Sequence, residues 1–285
     1  MDRRTCERAV AEFALNERKT WDRQVVAETQ VLFNWMQSLN HSPDQLAPWE
    51  VHRLRLFNTA KVISDNLTGR EQTVVDLGSN MIFLPLWKTL TPYAHVIFGM
   101  DPDQVSKLRA FGHELEAFDC DFETQPLPLQ GESVDLVTMF EVFEHFYIDP
   151  MYALIEVNRI LKPGGKVILT APNSVSWKAV LRVLTLYHPY QYGVYAGPGS
   201  RRHVHEPAPR DLAIALESAG FTAGVSTINN FVEPSPTIMR MLTDLGFPAG
   251  DLRGDTCVAV GEKTGAPTRR YPSELYDIPP HRATV

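Results

Sequence analysis

The chain has 285 residues, 44% of them apolar, enough for one large domain with embellishments around a sizeable core. Its 27 Lys and Arg stand against 34 Asp and Glu for a net charge of −7, with no long run of one sign, which argues against a large nucleic-acid footprint. The cysteines Cys6, Cys120 and Cys257 are far apart and form no CxxC, nowhere do about 20 apolar residues run together, and charges are scattered through the N-terminus. The expectation is a soluble, cytoplasmic protein with reduced thiols and no membrane span.

From about Thr5 to Leu39, apolar residues recur at three- and four-residue intervals, predicting an amphipathic helix or a broken pair. A second helix is expected over Trp49 to Leu67, stopped by LTGR. The pattern then changes to short apolar runs, TVVDLG, HVIFGMD, LEAFDCD, VDLVTMF and KVILTAP, separated by helical stretches, as parallel βαβ units require. Asp149-Pro150 opens the helix before the last of these runs, and KPGG is expected to end it. After Pro172 comes an insertion with a short apolar helix, SWKAVLRVLTLY, and an aromatic, Gly-rich loop ending in RRHVHE. A helix over Pro209 to Gly220, a weaker strand over Phe221 to Ile228 and a final strand, DTCVAVGEK, complete the expected sheet. The resulting division is a helical cap (1–70), an α/β domain (71–263) with an insertion (174–207), and an irregular Pro-rich tail (264–285).

In a doubly wound sheet, ligands bind where the carboxyl ends of the strands open onto the switch-point crevice, and VVDLGSN forms the first such turn. Gly78 allows close backbone approach, and Asp76 can hold ligand groups directly or through water. Asp101, ending the second strand, can accept from two ribose hydroxyls. Asp121 can accept from an adenine amine, with Phe122 covering the ring. A DxG turn after a strand is also often only a turn.

Together with VDLVTMFEVFEHF and RILKPGGKVILTAPN, these segments resemble the class I S-adenosylmethionine (SAM)-dependent methyltransferases from about Thr73 to Asn173. The resemblance implies a Rossmann-like, doubly wound, mostly parallel seven-stranded sheet with a lid-like insertion. It also implies SAM as cofactor, with Asp76 and Gly78 near its methionine, Asn80 in place of the motif's second glycine, Asp101 at the ribose, Asp121 and Phe122 at the adenine, and Phe140 as a further cofactor-binding residue. The family's first motif usually reads D/E-x-G-x-G-x-G. Here Asn80 and Met81-Ile82 stand where the second and third glycines belong; Asn tolerates left-handed backbone, whereas Ile82 cannot mimic glycine.

FEVFEHF puts Glu141, Glu144 and His145 at i, i+3 and i+4, one face of a helical turn. One reading is a solvated helix N-terminus with His145 packed on the core. The other is a divalent metal site. E-x-x-E-H followed by a histidine three residues before a glutamate resembles the small-RNA 3′-terminal 2′-O-methyltransferases, and E-x-x-E-H also occurs in ubiquinone-pathway O-methyltransferases. The resemblance implies Glu141, Glu144, His145 and His203 as ligands of Mg²⁺ or Mn²⁺, with Zn²⁺ also compatible with the donor set. An ion chelating two neighbouring hydroxyls would position and acidify the one to be methylated; without a metal, His145 is the expected general base.

The expected function is O-methylation of a vicinal diol, most plausibly on a saccharide, since the Tyr-rich loop suits sugar rings, though it can equally form a homodimer contact. Alternatives are a small-RNA or small aromatic acceptor, a silent binding module, and an NAD-dependent oxidoreductase, the last weakened by the absence of G-x-G-x-x-G.

Overall fold

The computed structural model describes residues 53–78, 87, 94–99, 116–190, 203–230, 236–247, 250 and 252–277. The expected helix over Thr5 to Leu39, the residues Asn80 and Asp101, and most of the Tyr-rich loop lie outside these residues. Helix α1 (Arg53–Asn66) is the described part of the second expected helix.

Seven strands form one sheet: β1 (Gln72–Leu77), β2 (Ala94–Gly99), β3 (Glu116–Phe118), β4 (Val134–Phe140), β5 (Leu161–Pro172), β6 (Phe221–Ile228) and β7 (Thr256–Lys263). Their order is β3-β2-β1-β4-β5-β7-β6. The five strands from β3 to β5 are parallel, while β7 runs antiparallel to both β5 and β6. The expected α/β, mostly parallel, seven-stranded sheet is thus the architecture found. Strands β1 and β4 lie at its centre, and their apolar runs are buried almost without interruption: Val74, Val75, Leu77, Leu136, Val137 and Met139 are all 0–1% exposed. This is the pattern of a sheet covered on both faces, and it explains why these strands read as apolar runs and not as alternations. The strand order reverses between β1 and β4, so the crevice at their carboxyl ends is the switch point of the fold.

Helix α2 (Pro150–Ile160) starts at Asp149, whose carboxylate accepts the Tyr152 N–H at 3.1 Å, with proline in the first turn where no intrahelical N–H is required. Its face of Met151, Ala153, Leu154, Val157 and Ile160 is buried in the main core. KPGG does not cap this helix. The carbonyls of Arg159 and Ile160 accept the N–H groups of Glu132 and Ser133 at 3.0 and 2.9 Å, so the helix end is satisfied from another segment and no glycine is needed. The chain turns directly into β5, and Gly164 (φ 75°) lies beyond Leu161, where the β4–β5 register shifts.

Helix α3 (Trp177–Leu184), capped by Ser176, packs on α5 (Pro236–Asp244) through Trp177, Val180, Leu181, Ile238 and Leu242. Helix α4 (Pro209–Ser218) covers β6, its Asp211 carboxylate reaching back to the Ala208 N–H at 2.8 Å. Residues 264–277 contain no helix or strand and are pinned to the domain. Asn158 donates to the Gly265 carbonyl, the Thr268 N–H to the Ser218 carbonyl, and Arg270 forms a two-pronged ion pair with Asp149. No helix among the described residues is long and apolar enough to cross a membrane.

Candidate functional site

Among the expected site residues in the described segments, Asp76 and Gly78 lie at the carboxyl end of β1, Phe140, Glu141, Glu144 and His145 at that of β4, Asp121 and Phe122 after β3, and His203 in the segment before α4. Asp76, 1% exposed on β1, accepts from Trp87 Nε1 at 2.9 Å and from Thr138 Oγ1 at 2.6 Å. Its carboxylate therefore ties β1 to β4 and to Trp87. Gly78 opens that turn at φ 69°, its N–H bonded to the Gly99 carbonyl at 2.8 Å, and a β-carbon there would collide with Val142. The position demands glycine for both backbone and space. Phe140, 2% exposed, stacks on Trp87 with ring centroids 6.4 Å apart. Asp121 accepts the Glu123 N–H and the Thr124 hydroxyl, closing a local turn, and Phe122 packs against the main core.

The segment after β4 differs from the expected helical turn. Only Phe143–His145 form a helical element, a single 3₁₀ turn. Glu141 precedes it with φ 56°, so it does not share a face with Glu144 and His145. Its carboxylate accepts from Thr170 Oγ1 at 2.9 Å and pairs with Arg55 Nη1 of α1 at 3.2 Å. Arg55 and Thr170 were not legible as site residues, because each meets Glu141 only through the tertiary fold.

Glu144, His145 and His203 do come together, each offering one ligand atom within 4.8 Å of the others. Glu144 Oε1 stands 3.9 Å from His145 Nε2 and 3.8 Å from His203 Nε2, and the two imidazole rings meet edge to face at 5.0 Å. Those separations exceed a hydrogen bond. They approach the roughly 3.4 Å spacing of donor atoms around a four-coordinate ion with ligand bonds of about 2.1 Å. Glu144 is 0% exposed, and neither carboxylate oxygen has a hydrogen-bond partner. Burial, and then the charge of Glu141, push its carboxyl well above the usual carboxylate range.

His203 is held in place from behind. Its Nδ1 lies 2.8 Å from the Glu206 carboxylate, and the Val204 N–H donates to the Glu144 carbonyl at 2.8 Å. A proton held between Nδ1 and Glu206 would leave the Nε2 lone pair on the Glu144 side. A carboxylate behind an imidazole in this way is the usual second layer of a metal site, fixing tautomer and ring orientation. Glu206 was legible only as the residue three after His203; its supporting contact required the fold. His205 contributes a backbone N–H to the Glu144 carbonyl and lies outside the cluster. The residues present therefore fit a divalent ion: a buried carboxylate without hydrogen-bond partners and two imidazoles, one of them held by Glu206.

Residues 50–224 match the family described as a methyltransferase domain, and the chain belongs to that family. An uncharacterized 37.1 kDa protein of a Streptomyces fradiae transposon is 31% identical over 203 residues, covering 69% of this chain and 54% of that protein. A Mycolicibacterium smegmatis protein named as a probable S-adenosylmethionine-dependent methyltransferase is 32% identical over 95 residues, covering 33% of this chain and 31% of that protein. The chain thus spans about half the length of the first relative and about a third of the second. Among solved structures, an Archaeoglobus fulgidus SAM-dependent methyltransferase has the same fold, with a TM-score of 0.51 at 16% identity, covering 78% of this chain and 100% of the other.

Proposed function

We propose that the chain is a SAM-dependent O-methyltransferase that acts, with a divalent ion, on one hydroxyl of a vicinal diol carried by a saccharide. Family membership supports SAM-dependent methyl transfer. The observation that carries the metal-assisted reading is the fully buried Glu144 carboxylate, without hydrogen-bond partners, facing His145 and a His203 oriented by Glu206.

In this reading SAM supplies an electrophilic methyl group on sulfonium sulfur, and a Mg²⁺ or Mn²⁺ ion held by Glu144, His145 and His203 supplies Lewis acidity toward adjacent hydroxyl oxygens. The chain's own residues do the rest. Gly78 lets the backbone approach the methionine end of SAM, the Asp76 carboxylate keeps that turn in place through Trp87 and Thr138, and Phe140 closes the floor of the site. Asn80, Asp101, Asp121 and Phe122 are assigned to the remainder of the cofactor. Glu141 is the candidate fourth ligand; to serve, its carboxylate would exchange Arg55 for the ion. If no ion takes part, His145 is the group placed to accept the acceptor's proton.

The test is calorimetry of the purified chain with SAM and with NADH, repeated after chelation and with Mn²⁺ restored. SAM binding that survives chelation, together with manganese uptake at one site that His203→Ala removes, supports the reading. Binding of NADH and not SAM would point to an oxidoreductase, and binding of neither to a silent module. A 14 Da gain on candidate glycans, lost when either neighbouring hydroxyl is removed, would identify the acceptor class.

A further inference from the structure

Turning Glu141 toward the ion, as a fourth ligand must, would undo several contacts at once. Both of its oxygens are taken: Oε1 accepts from Thr170 Oγ1 at 2.9 Å, and Oε2 pairs with Arg55 Nη1 at 3.2 Å. The backbone holds the same arrangement. The Glu141 N–H donates to the Thr170 carbonyl at 2.9 Å, and the residue sits at φ 56°, a left-handed conformation that strains a residue bearing a side chain. The carboxylate therefore lies outside the cluster that Glu144 forms with His145 and His203.

Arg55 depends on this contact. The two side chains are each 14% exposed, Glu141 is the one ion-pair partner of Arg55 among the described residues, and Arg55 Nε is buried without a hydrogen-bond partner. If Glu141 moved to the ion, a largely buried guanidinium would lose its anion and face a second cation. Separating a buried pair is costly because the charge left behind stays desolvated. Arg55 also lies close enough for its charge to act on Glu144, where it opposes the upward push that burial and Glu141 exert on that carboxyl.

We propose that Arg55 is a positioning residue that withholds Glu141 from the metal and so fixes the ligand set at one carboxylate and two imidazoles. In the metal-assisted reading, on which this rests, the consequence follows from charge. With Glu144 as the single anionic ligand, a divalent ion keeps net positive charge with which to polarise a hydroxyl. A second carboxylate would cancel that charge and take a coordination position open to the acceptor. Arg55 thus trades metal affinity for Lewis acidity, from a helix that lies before the sheet.

Manganese calorimetry on the full chain tests it. Arg55→Gln should bind Mn²⁺ about tenfold more tightly than wild type, because Glu141 is released to the ion. Arg55→Gln combined with Glu141→Gln removes both charges together and should return to within about threefold of wild type, since neither residue touches the ion. A loss of about tenfold or more in that double variant would make Glu141 a ligand and overturn the proposal. Unchanged or weakened uptake by Arg55→Gln would overturn it as well, as would a gain that persists without Glu141. Should Arg55→Gln fail to fold, the double variant still decides, because it replaces a charged pair with a neutral one. A wild type that takes up no Mn²⁺ would remove the metal-assisted reading and this proposal with it. Uptake by the wild type that His203→Ala abolishes, together with a weakened double variant, would remove this proposal alone.

Discussion

Glu144 and Asp149 stand on either side of Tyr147, and the fold treats them in opposite ways. The Asp149 carboxylate accepts the Tyr152 N–H, pairs with both terminal nitrogens of Arg270 and lies 3.4 Å from the Tyr276 hydroxyl. Nearby, Glu123 takes the N–H groups of Ile148 and Asp149, and Glu156 takes the Leu127 N–H and the Arg159 guanidinium. Glu144, more deeply buried than any of these, has no hydrogen bond to either oxygen. Buried carboxylates that serve structure are saturated with donors, because an unmatched one costs several kcal/mol. In the proposed reading, a carboxylate left unmatched opposite two imidazoles costs the fold stability that a bound cation would restore.

Removing the unmatched group should have the largest effect. Glu144→Gln should lower turnover by about 100-fold or more and abolish manganese uptake in calorimetry, while SAM affinity stays within about twofold, because the carboxylates assigned to the cofactor, Asp76 and Asp121, belong to other segments. Preserved turnover and metal uptake would place Glu144 among the structural carboxylates. Glu206→Gln acts one layer out: it should weaken metal binding by roughly 10- to 100-fold, whereas a purely structural Glu206 would change only the melting temperature.

Stability measurements sharpen the same contrast with smaller effects of opposite sign. Arg270→Ala strands Asp149 and should destabilise the chain by about 2 kcal/mol. Glu144→Met, of similar shape without the carboxyl group, should raise the melting temperature of metal-free protein by ~2–6 °C, because it removes a buried carboxylate that has no hydrogen-bond partner. A fall in that temperature would show that Glu144 is satisfied in solution.

The smallest effect is a pH dependence at the matched end. Burial, and then the charge of Asp149, push the Tyr276 hydroxyl up to about 12. The folded state keeps this proton where the unfolded state, near 10, has released it, so the contribution is whole below about pH 10 and is lost as pH rises toward 12. Chemical denaturation across that window should show a decline that Tyr276→Phe flattens.

Much of this was determined by the sequence alone, because it depended on local periodicity. The short apolar runs of β1 and β4 announced strands of parallel βαβ units, and Asp149-Pro150 announced the start of α2. Glu144 and His145 are adjacent in sequence, and His203 with Glu206 has the i, i+3 offset that the structure turns into a 2.8 Å contact. Tertiary structure decided the rest. KPGG carries a local helix-stop signal, but the donors that finish the helix come from Glu132 and Ser133, so the glycines fall into a strand instead. Glu141 read as a third member of one helical face; its left-handed backbone and its pairing with Arg55, from a helix before the sheet, turned it aside. Arg270 meets Asp149 across most of the domain, and no spacing rule links them. The physical reason is common to all three: helix and strand formation is governed by neighbours along the chain, whereas the partner of a charged side chain is set by whatever the packed elements bring within about 3 Å of it.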